Sequence, residues 1–308
     1  MMHKDFISIH DLSLYEFSEM LDFVKTMKEK PQRFQKKLKN KILAMIFQKP
    51  SLRTRMTFEV GMLQLGGKAI YLAPSDIQIG TREAPYDIAK NLELWVHGIM
   101  VRTFAHQIVI DLAQSTHIPV INALTDLLHP CQAMADFFTI KEKKGALAKV
   151  KLAYVGDGNN VCHSLLFASA KAGCEMAIAT PSGYEPNPEI VKQAAEDGKD
   201  SGFRFNLTND PFEAVQGADA VYTDTWASMG QEHDKEQRIK IFSPYQVNSN
   251  LMAKAKPDAL FMHCLPAHRG EEVTDEVMDS KQSVVFNQAE NRLHVQKTLL
   301  LLLLKENK

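Results

Sequence analysis

Cysteine is scarce. The four in this 308-residue chain, Cys131, Cys162, Cys174 and Cys264, stand far apart without CxxC spacing. They supply no metal framework and suit free thiols in a reducing compartment. Excess charge of either sign is also lacking: a formal net charge of -1 argues against a general polyanion binder, so nucleic acid is not expected as a principal partner. Long apolar runs are missing too. The six leucines of 299–304 fall far short of the roughly 20 residues that span a bilayer, and they read as a buried C-terminal helix. The first residues, MMHKDFISIHDLS, have neither a basic segment followed by an apolar one nor the arginine-rich character of a transit peptide, so the cytoplasm is the expected location. Apart from the leucines there is no low-complexity segment, and there is no internal repeat. A composition 45% hydrophobic and 24% charged is enough for two ordinary domains with their own cores.

The most informative stretch is 47–67, FQKPSLRTRMTFEVGMLQLGG. Before it, 41–47 is an apolar run of strand length; after it, Phe58, Met62 and Leu65 recur at helical spacing, with Ser51 placed as N-cap. A helix start presents unpaired N–H groups and the positive end of the dipole. The hydroxyls of Ser51 and Thr54 and the guanidiniums of Arg53 and Arg55 add to it a dense donor array suited to phosphate. A capped helix with a solvated basic first turn is the alternative, although arginine there opposes the dipole.

Along the chain, Leu14, Phe17, Leu21 and Val24 mark an amphipathic helix over 14–30 that stops before Pro31. Apolar runs at 41–47, 68–72, 98–101 and 118–121 alternate with helical segments, and the alternation restarts at 150–155, 174–180, 203–207, 220–223, 259–262 and 284–286. This pattern predicts an α/β fold with two doubly wound parallel-sheet domains, separated near KKGALAK. The loop 73–85 is long for such a domain, and long loops are often functional.

Ligand groups in open parallel sheets gather past the carboxyl ends of strands. Those ends carry Arg102, then Gly156-Asp157-Gly158-Asn159-Asn160, then Asp224, then His263-Cys264-Leu265-Pro266. The glycines invite a dinucleotide reading, but G-x-G-x-x-G would need glycine where Val161 stands, and no acidic residue is clearly placed for a ribose. The asparagine amides suit a carboxylate or an ammonium instead. In TDTWASMGQE, Asp224 offers a negative charge to an α-ammonium group, while Ser228 and the N–H groups around Met229 can take a carboxylate; an Asx-type turn is the structural alternative. His129 and Gln132 open a helix as HPCQ, where a histidine more often caps than catalyses. Cys264 alone reads as a small core residue.

Taken in order, these motifs resemble those of the aspartate and ornithine carbamoyltransferases. Ser51, Arg53, Thr54, Arg55, Phe58 and Glu59 match the family's S-T-R-T-R-x-S-F-E motif, with Leu52 in place of threonine and only its backbone N–H left to serve. The resemblance implies that Ser51, Leu52, Arg53 and Thr54 hold phosphate, Arg102 and His129 polarise the carbamoyl oxygen, and Gln132 receives the carbamoyl amino group. Arg292, in ENRLH, corresponds to a late arginine at carbamoyl phosphate, and Cys264 and Leu265 of H-C-L-P also border that substrate. D-x-W-x-S-M-G is the ornithine signature within the family, implying that Asn160, Asp224, Ser228 and Met229 bind L-ornithine. Arg53, Arg102, His129, Cys264 and Arg292 are the implied catalytic set. Gln78 corresponds to a loop residue reaching a neighbouring subunit's site, which implies a homotrimer, while Ala84 and Ile88 replace the usual serine and threonine of the same loop.

The implied division is 1–147 with 290–308 for carbamoyl phosphate, the C-terminal helix returning to the first domain, and 148–289 for ornithine, with closure around both. The implied reaction yields L-citrulline and phosphate, in arginine metabolism, without cofactor or metal. Two rival readings are a carbamoyltransferase for another amine and a catalytically weak homologue kept as a binding subunit.

Overall fold

The computed structural model of the protein describes residues 4–227 and 234–305. The chain forms two compact units, Met1–Ala135 with Asn291–Lys308, and Asp136–Glu290.

In the first unit Ile42–Phe47 (β1), Lys68–Leu72 (β2), Gly98–Arg102 (β3) and Val120–Leu124 (β4) form a parallel sheet of order β2-β1-β3-β4. The strands β1, β3 and β4 are almost wholly buried and β2, at an edge, is partly exposed, as their apolar runs dictate. The chain leaves β1 towards one edge and returns to add β3 and β4 on the other side. The topological switch therefore lies between β1 and β3, and sheets of this kind hold their ligands beyond the strand ends at such a point. Register pairs Phe47 with Arg102 there, so the segment following β1 starts beside the end of β3.

The helix after β1 spans Leu52–Gln64; Ser51 adopts extended backbone and accepts the Thr54 N–H at 3.2 Å, the expected N-cap. Its apolar face buries Phe58 and Met62. Burial of such side chains contributes about 1.5–3 kcal/mol each. Gly61 lets the C-terminal helix approach: a Cβ there would lie 3.3 Å from Leu300 Cδ1 and from Lys297 Cγ. The N-terminal helix, Leu14–Glu29, begins with a reciprocal cap in which Ser13 accepts the Glu16 N–H at 3.1 Å and the Glu16 carboxylate accepts the Ser13 N–H at 3.0 Å.

The second unit holds Lys151–Val155 (β5), Glu175–Ala179 (β6), Arg204–Thr208 (β7), Ala220–Thr223 (β8) and Leu260–His263 (β9), all parallel in the order β7-β6-β5-β8-β9. Its switch point falls between β5 and β8. That places the turn after Val155 next to the residues after Thr223, and both carry the sequence's polar motifs.

One expected strand is not formed. Val284 stands just before the helix Val285–Leu304, which Val285 and Phe286 open, and Ser283 makes only an isolated bridge with Phe261. Three apolar residues carry no usable periodicity; the helical pattern becomes readable only further along. The loop 73–85 contains a single-turn helix, Pro74–Ile77, closed by Gln78 in left-handed backbone at φ 44°. Ile88 is buried in the core of this unit, and Ala84 occupies an N-cap position without a side-chain hydrogen bond. The two departures thus fall on a packing position and a cap.

Candidate active site

In the first unit the polar groups converge on Thr54. Its side chain is fully buried, and its Oγ1 receives the Arg292 Nη2 at 2.9 Å, the Ser51 Oγ at 3.1 Å and, more distantly, the Arg102 Nη1 at 3.5 Å. Arg102 and Arg292 are buried with it. Two buried guanidiniums thus meet the first turn of a helix at one hydroxyl. This arrangement, with the helix dipole behind it, is built for an anion. Lys49, buried just before Ser51, pairs with Asp126 and stands 4.2 Å above the Phe104 ring.

His129 enters this cluster from the start of the helix Pro130–Lys144, set by a turn in which Thr125 N–H donates to the Leu128 carbonyl at 2.8 Å and Leu128 N–H to the Thr125 Oγ1 at 3.1 Å. Burial, reinforced by the charges of Arg292, Arg102 and Arg53, holds its imidazole well below the usual value. At neutral pH it is therefore uncharged, able to donate one hydrogen bond to a carbonyl oxygen without adding a further cation. Gln132 lies buried one turn along the same helix. Beside it, burial pushes the Cys131 thiol up to about 12, and its Sγ is 3.3 Å from the Asn122 carbonyl, so it is a packing residue.

Arg55, grouped with these donors on sequence grounds, turns elsewhere. Its guanidinium stacks 3.9 Å over the Tyr71 ring and its Nε lies 3.4 Å from Glu59. Successive helical positions point about 100° apart, so two arginines separated by one residue cannot share a face. Leu52 is 74% exposed, and Gln78 is exposed on its loop.

In the second unit Asp224, nearly buried after β8, receives two side-chain donors: the Cys264 thiol at 2.9 Å on Oδ1 and the Asn159 amide at 2.8 Å on Oδ2. Asn159 is the N-cap of the helix Asn160–Ala172, and its Oδ1 accepts the N–H groups of Val161 and Cys162 at 2.9 and 3.2 Å and the Tyr154 hydroxyl at 3.3 Å. One asparagine thus fixes both the helix start and the carboxylate. Sequence reasoning singled out Asn160, which opens that helix beside it; the doublet gave no sign that Asn159 would face Asp224. The glycines of this turn serve tight packing: a Cβ on Gly158 would lie 2.3 Å from the Pro186 nitrogen.

Behind Cys264, His263 accepts the Leu265 N–H on Nδ1 at 2.9 Å and faces Glu272 Oε1 through Nε2 at 3.2 Å. Leu265 takes left-handed backbone at φ 58°. Asp224, His263 and Cys264 bring donor atoms within 4.8 Å of one another, and both nitrogens of His263 are engaged by Leu265 and Glu272. His268, Glu271 and Glu272 form a similar group, in which Lys235 pairs with Glu271 at 2.8 Å and the His268 N–H donates to Glu272 Oε1. Among the four cysteines, all of them described, no disulfide forms. Ser228 and Met229 lie outside the described residues.

Comparison with known proteins agrees with the two units. The carbamoyl-P binding domain of aspartate/ornithine carbamoyltransferases matches residues 4–142, and the Asp/Orn binding domain matches residues 148–303. The chain is 52% identical over 306 residues to an ornithine carbamoyltransferase of Thermococcus kodakarensis, covering 98% of this chain and 96% of that one. Among solved structures it resembles ornithine carbamoyltransferase from Pyrococcus furiosus, with TM-score 0.95 and 51% identity over 99% of this chain and 98% of that one. It also resembles ornithine transcarbamoylase from Giardia lamblia, with TM-score 0.90 at 33% identity and 99% coverage of both chains. On sequence and on fold alike, the chain belongs to the aspartate/ornithine carbamoyltransferase family.

Proposed function

We propose that this protein transfers the carbamoyl group of carbamoyl phosphate to the δ-amine of L-ornithine, giving L-citrulline and phosphate. The observation that carries the reading is the buried cluster of Thr54, Arg102 and Arg292 around an uncharged His129, which supplies cations for a phosphate and a neutral donor for a carbonyl.

Residues 1–147 with 290–308 take carbamoyl phosphate: Ser51, the Leu52 N–H, Arg53, Thr54 and Arg292 on the phosphate, Arg102 and His129 on the carbamoyl oxygen, Gln132 on its amino group, and Cys264 and Leu265 at its border. Residues 148–289 take ornithine, with Asp224 on the α-ammonium group, Asn160 beside it, and Ser228 and Met229 on the carboxylate. The neutral δ-amine attacks the carbamoyl carbon, the C–O bond to phosphate breaks, and the arginines stabilise charge on the oxyanion and the leaving phosphate. An amine near pKa 10 must first lose a proton, at a cost of about 4 kcal/mol at neutral pH. Phosphate is the acceptor at hand, and Cys264 and Asp224 position the amine.

The working assembly is a homotrimer in which Gln78 reaches a neighbouring site. Exposed Leu52, Met56 and Leu63 on the helix Leu52–Gln64, and Ile70 on the edge strand β2, support an interface there. No helix among the described residues is long and apolar enough to cross a membrane, and the cytoplasm is the proposed location.

The test is citrulline formation from carbamoyl phosphate with L-ornithine, N-acetyl-L-ornithine, putrescine and L-aspartate in parallel. Activity confined to L-ornithine is expected. Product from a different amine overturns the substrate, and none from any overturns the reaction.

A further inference from the structure

The reaction as derived above gives no part to Asp136, a fully buried carboxylate on the helix Pro130–Lys144. Its Oδ2 accepts the Tyr222 hydroxyl at 3.1 Å, and its Oδ1 accepts the Gln288 amide at 2.8 Å. Gln288, on the helix Val285–Leu304, extends the chain: its Oε1 accepts the His263 N–H at 3.0 Å. Tyr222 and His263 are fully buried, and Gln288 is almost so. Burial first, and the Asp136 charge next, raise the Tyr222 hydroxyl well above its usual value, so it keeps its proton and donates. Three side chains and one backbone N–H thus form a continuous hydrogen-bonded chain inside the second unit.

Where this chain is anchored decides what it can do. The helices Pro130–Lys144 and Val285–Leu304 each run from one unit into the other. Asp136 stands one turn beyond Gln132 on the first, and Gln288 one turn before Arg292 on the second, so each shares a helix face with a group assigned to carbamoyl phosphate. Tyr222, on β8, lies two residues before Asp224, and His263, at the end of β9, directly precedes Cys264, the two groups assigned to the amine.

Building on the carbamoyl transfer to ornithine proposed above, we propose that Asp136 is a positioning residue that couples the two substrates. Carbamoyl phosphate held by Gln132 and Arg292 fixes the helical turns from which Asp136 and Gln288 project. Through Tyr222 and His263 these two fix the strand ends that present Asp224 and Cys264. The groups for the amine are then ordered before it arrives, and less of its interaction energy is spent on ordering them. A buried carboxylate is costly to leave short of donors, so a shift at one member must be followed by the others or lose a charge-assisted bond. The coupling is reciprocal: the factor by which carbamoyl phosphate tightens the amino acid is the factor by which the amino acid tightens carbamoyl phosphate.

The test uses the full-length protein. Calorimetry measures the carbamoyl phosphate dissociation constant alone and with saturating L-norvaline, which keeps the α-groups of ornithine but has no δ-amine to carbamoylate; the ratio of the two constants is the coupling factor. Tyr222→Phe and Asp136→Ala are expected to cut this factor roughly tenfold, the order of one hydrogen bond to a charged group, while carbamoyl phosphate alone binds as before. In Asp136→Asn the amide oxygen still accepts from Gln288 and the amide N–H can donate to the Tyr222 oxygen, so most of the coupling should remain. Tyr222→Phe removes a single hydroxyl and serves even where Asp136→Ala folds poorly. An unchanged coupling factor in Tyr222→Phe, equal losses of carbamoyl phosphate affinity with and without norvaline, a factor in Asp136→Asn no better than in Asp136→Ala, or no coupling in an unmodified protein that makes citrulline overturns the inference. Absence of citrulline formation by the unmodified protein instead overturns the reaction on which it rests.

Discussion

Arg292 and Thr54, 238 positions apart in the chain, share a 2.9 Å hydrogen bond inside the first unit. It couples the C-terminal helix to the first turn of the helix after β1, so the anion cluster exists only when the last helix is docked. Thr54→Val keeps the shape and removes the oxygen on which Arg292, Arg102 and Ser51 converge. It should raise KM for carbamoyl phosphate by roughly ten- to hundredfold, the worth of a hydrogen bond to a charged group at about 1.5–3 kcal/mol. KM for L-ornithine should change little. Steady-state kinetics with each substrate varied in turn checks this, and an unaltered carbamoyl phosphate KM would remove Thr54 from the site.

His129 makes a prediction about stability as well as catalysis. Its folded-state pKa is depressed by burial first and by Arg292, Arg102 and Arg53 next. The unfolded chain therefore binds a proton that the folded protein refuses. Stability is lost as pH falls through the ordinary imidazole value of 6.5 and is unaffected by this group above it. The slope approaches about 1.4 kcal/mol per pH unit for one such histidine. His106, shifted the same way by burial, adds to the total. His129→Gln should flatten the fall in Tm between pH 6.5 and 5 relative to the unmodified protein, while lowering kcat because its amide N–H does not stand where the imidazole N–H proposed to reach the carbamoyl oxygen does. A Tm profile parallel to that of the parent would show that His129 is not the group being titrated.

Both sheets were legible because buried parallel strands are short, continuous apolar runs bounded by polar turns, and nine of the runs became strands. The tenth, at 284–286, was too short to distinguish from a helix start. Ser51 as N-cap could be read because the cap is local chemistry, settled within three residues. The partners of Asp224 could not. Asn159, Cys264 and Arg238 meet it or its neighbours only after the strands have been ordered, and no spacing along the chain encodes the order β5-β8-β9. The same holds for Arg55, whose attraction to Tyr71 depends on β2 lying beside β1.

Leu52 is the motif's departure, and its 74% exposure means that it contributes nothing to the core of the unit that carries it. Leu52→Thr should therefore leave folding of this unit intact while restoring a hydroxyl at the helix start. If that hydroxyl reaches phosphate, KM for carbamoyl phosphate falls by an amount worth at most about 1.5–3 kcal/mol. An unchanged KM would show that the backbone N–H suffices. Sedimentation of the same variant also tests the proposed trimer: if a neighbouring subunit covers this helix face, loss of the exposed leucine should weaken assembly.

Cys264 offers the sharpest separation of structure from chemistry in the second unit. Its thiol donates to Asp224 Oδ1 at 2.9 Å, so it orients the carboxylate whether or not it meets the amine. Cys264→Ser preserves a donor in that place, and Cys264→Ala removes it and leaves Asn159 as the side-chain donor to Asp224. If orientation is its role, serine should retain ornithine affinity and alanine should lose it by up to roughly tenfold, since an ordinary hydrogen bond contributes about 0.5–1.5 kcal/mol. The pH dependence of turnover would then be the same in all three proteins. If Cys264 also positions the neutral δ-amine, both variants should lower kcat, and the acid limb of the pH-rate profile should move. Ornithine affinity, turnover and pH dependence all unchanged in Cys264→Ala would leave Cys264 with neither role.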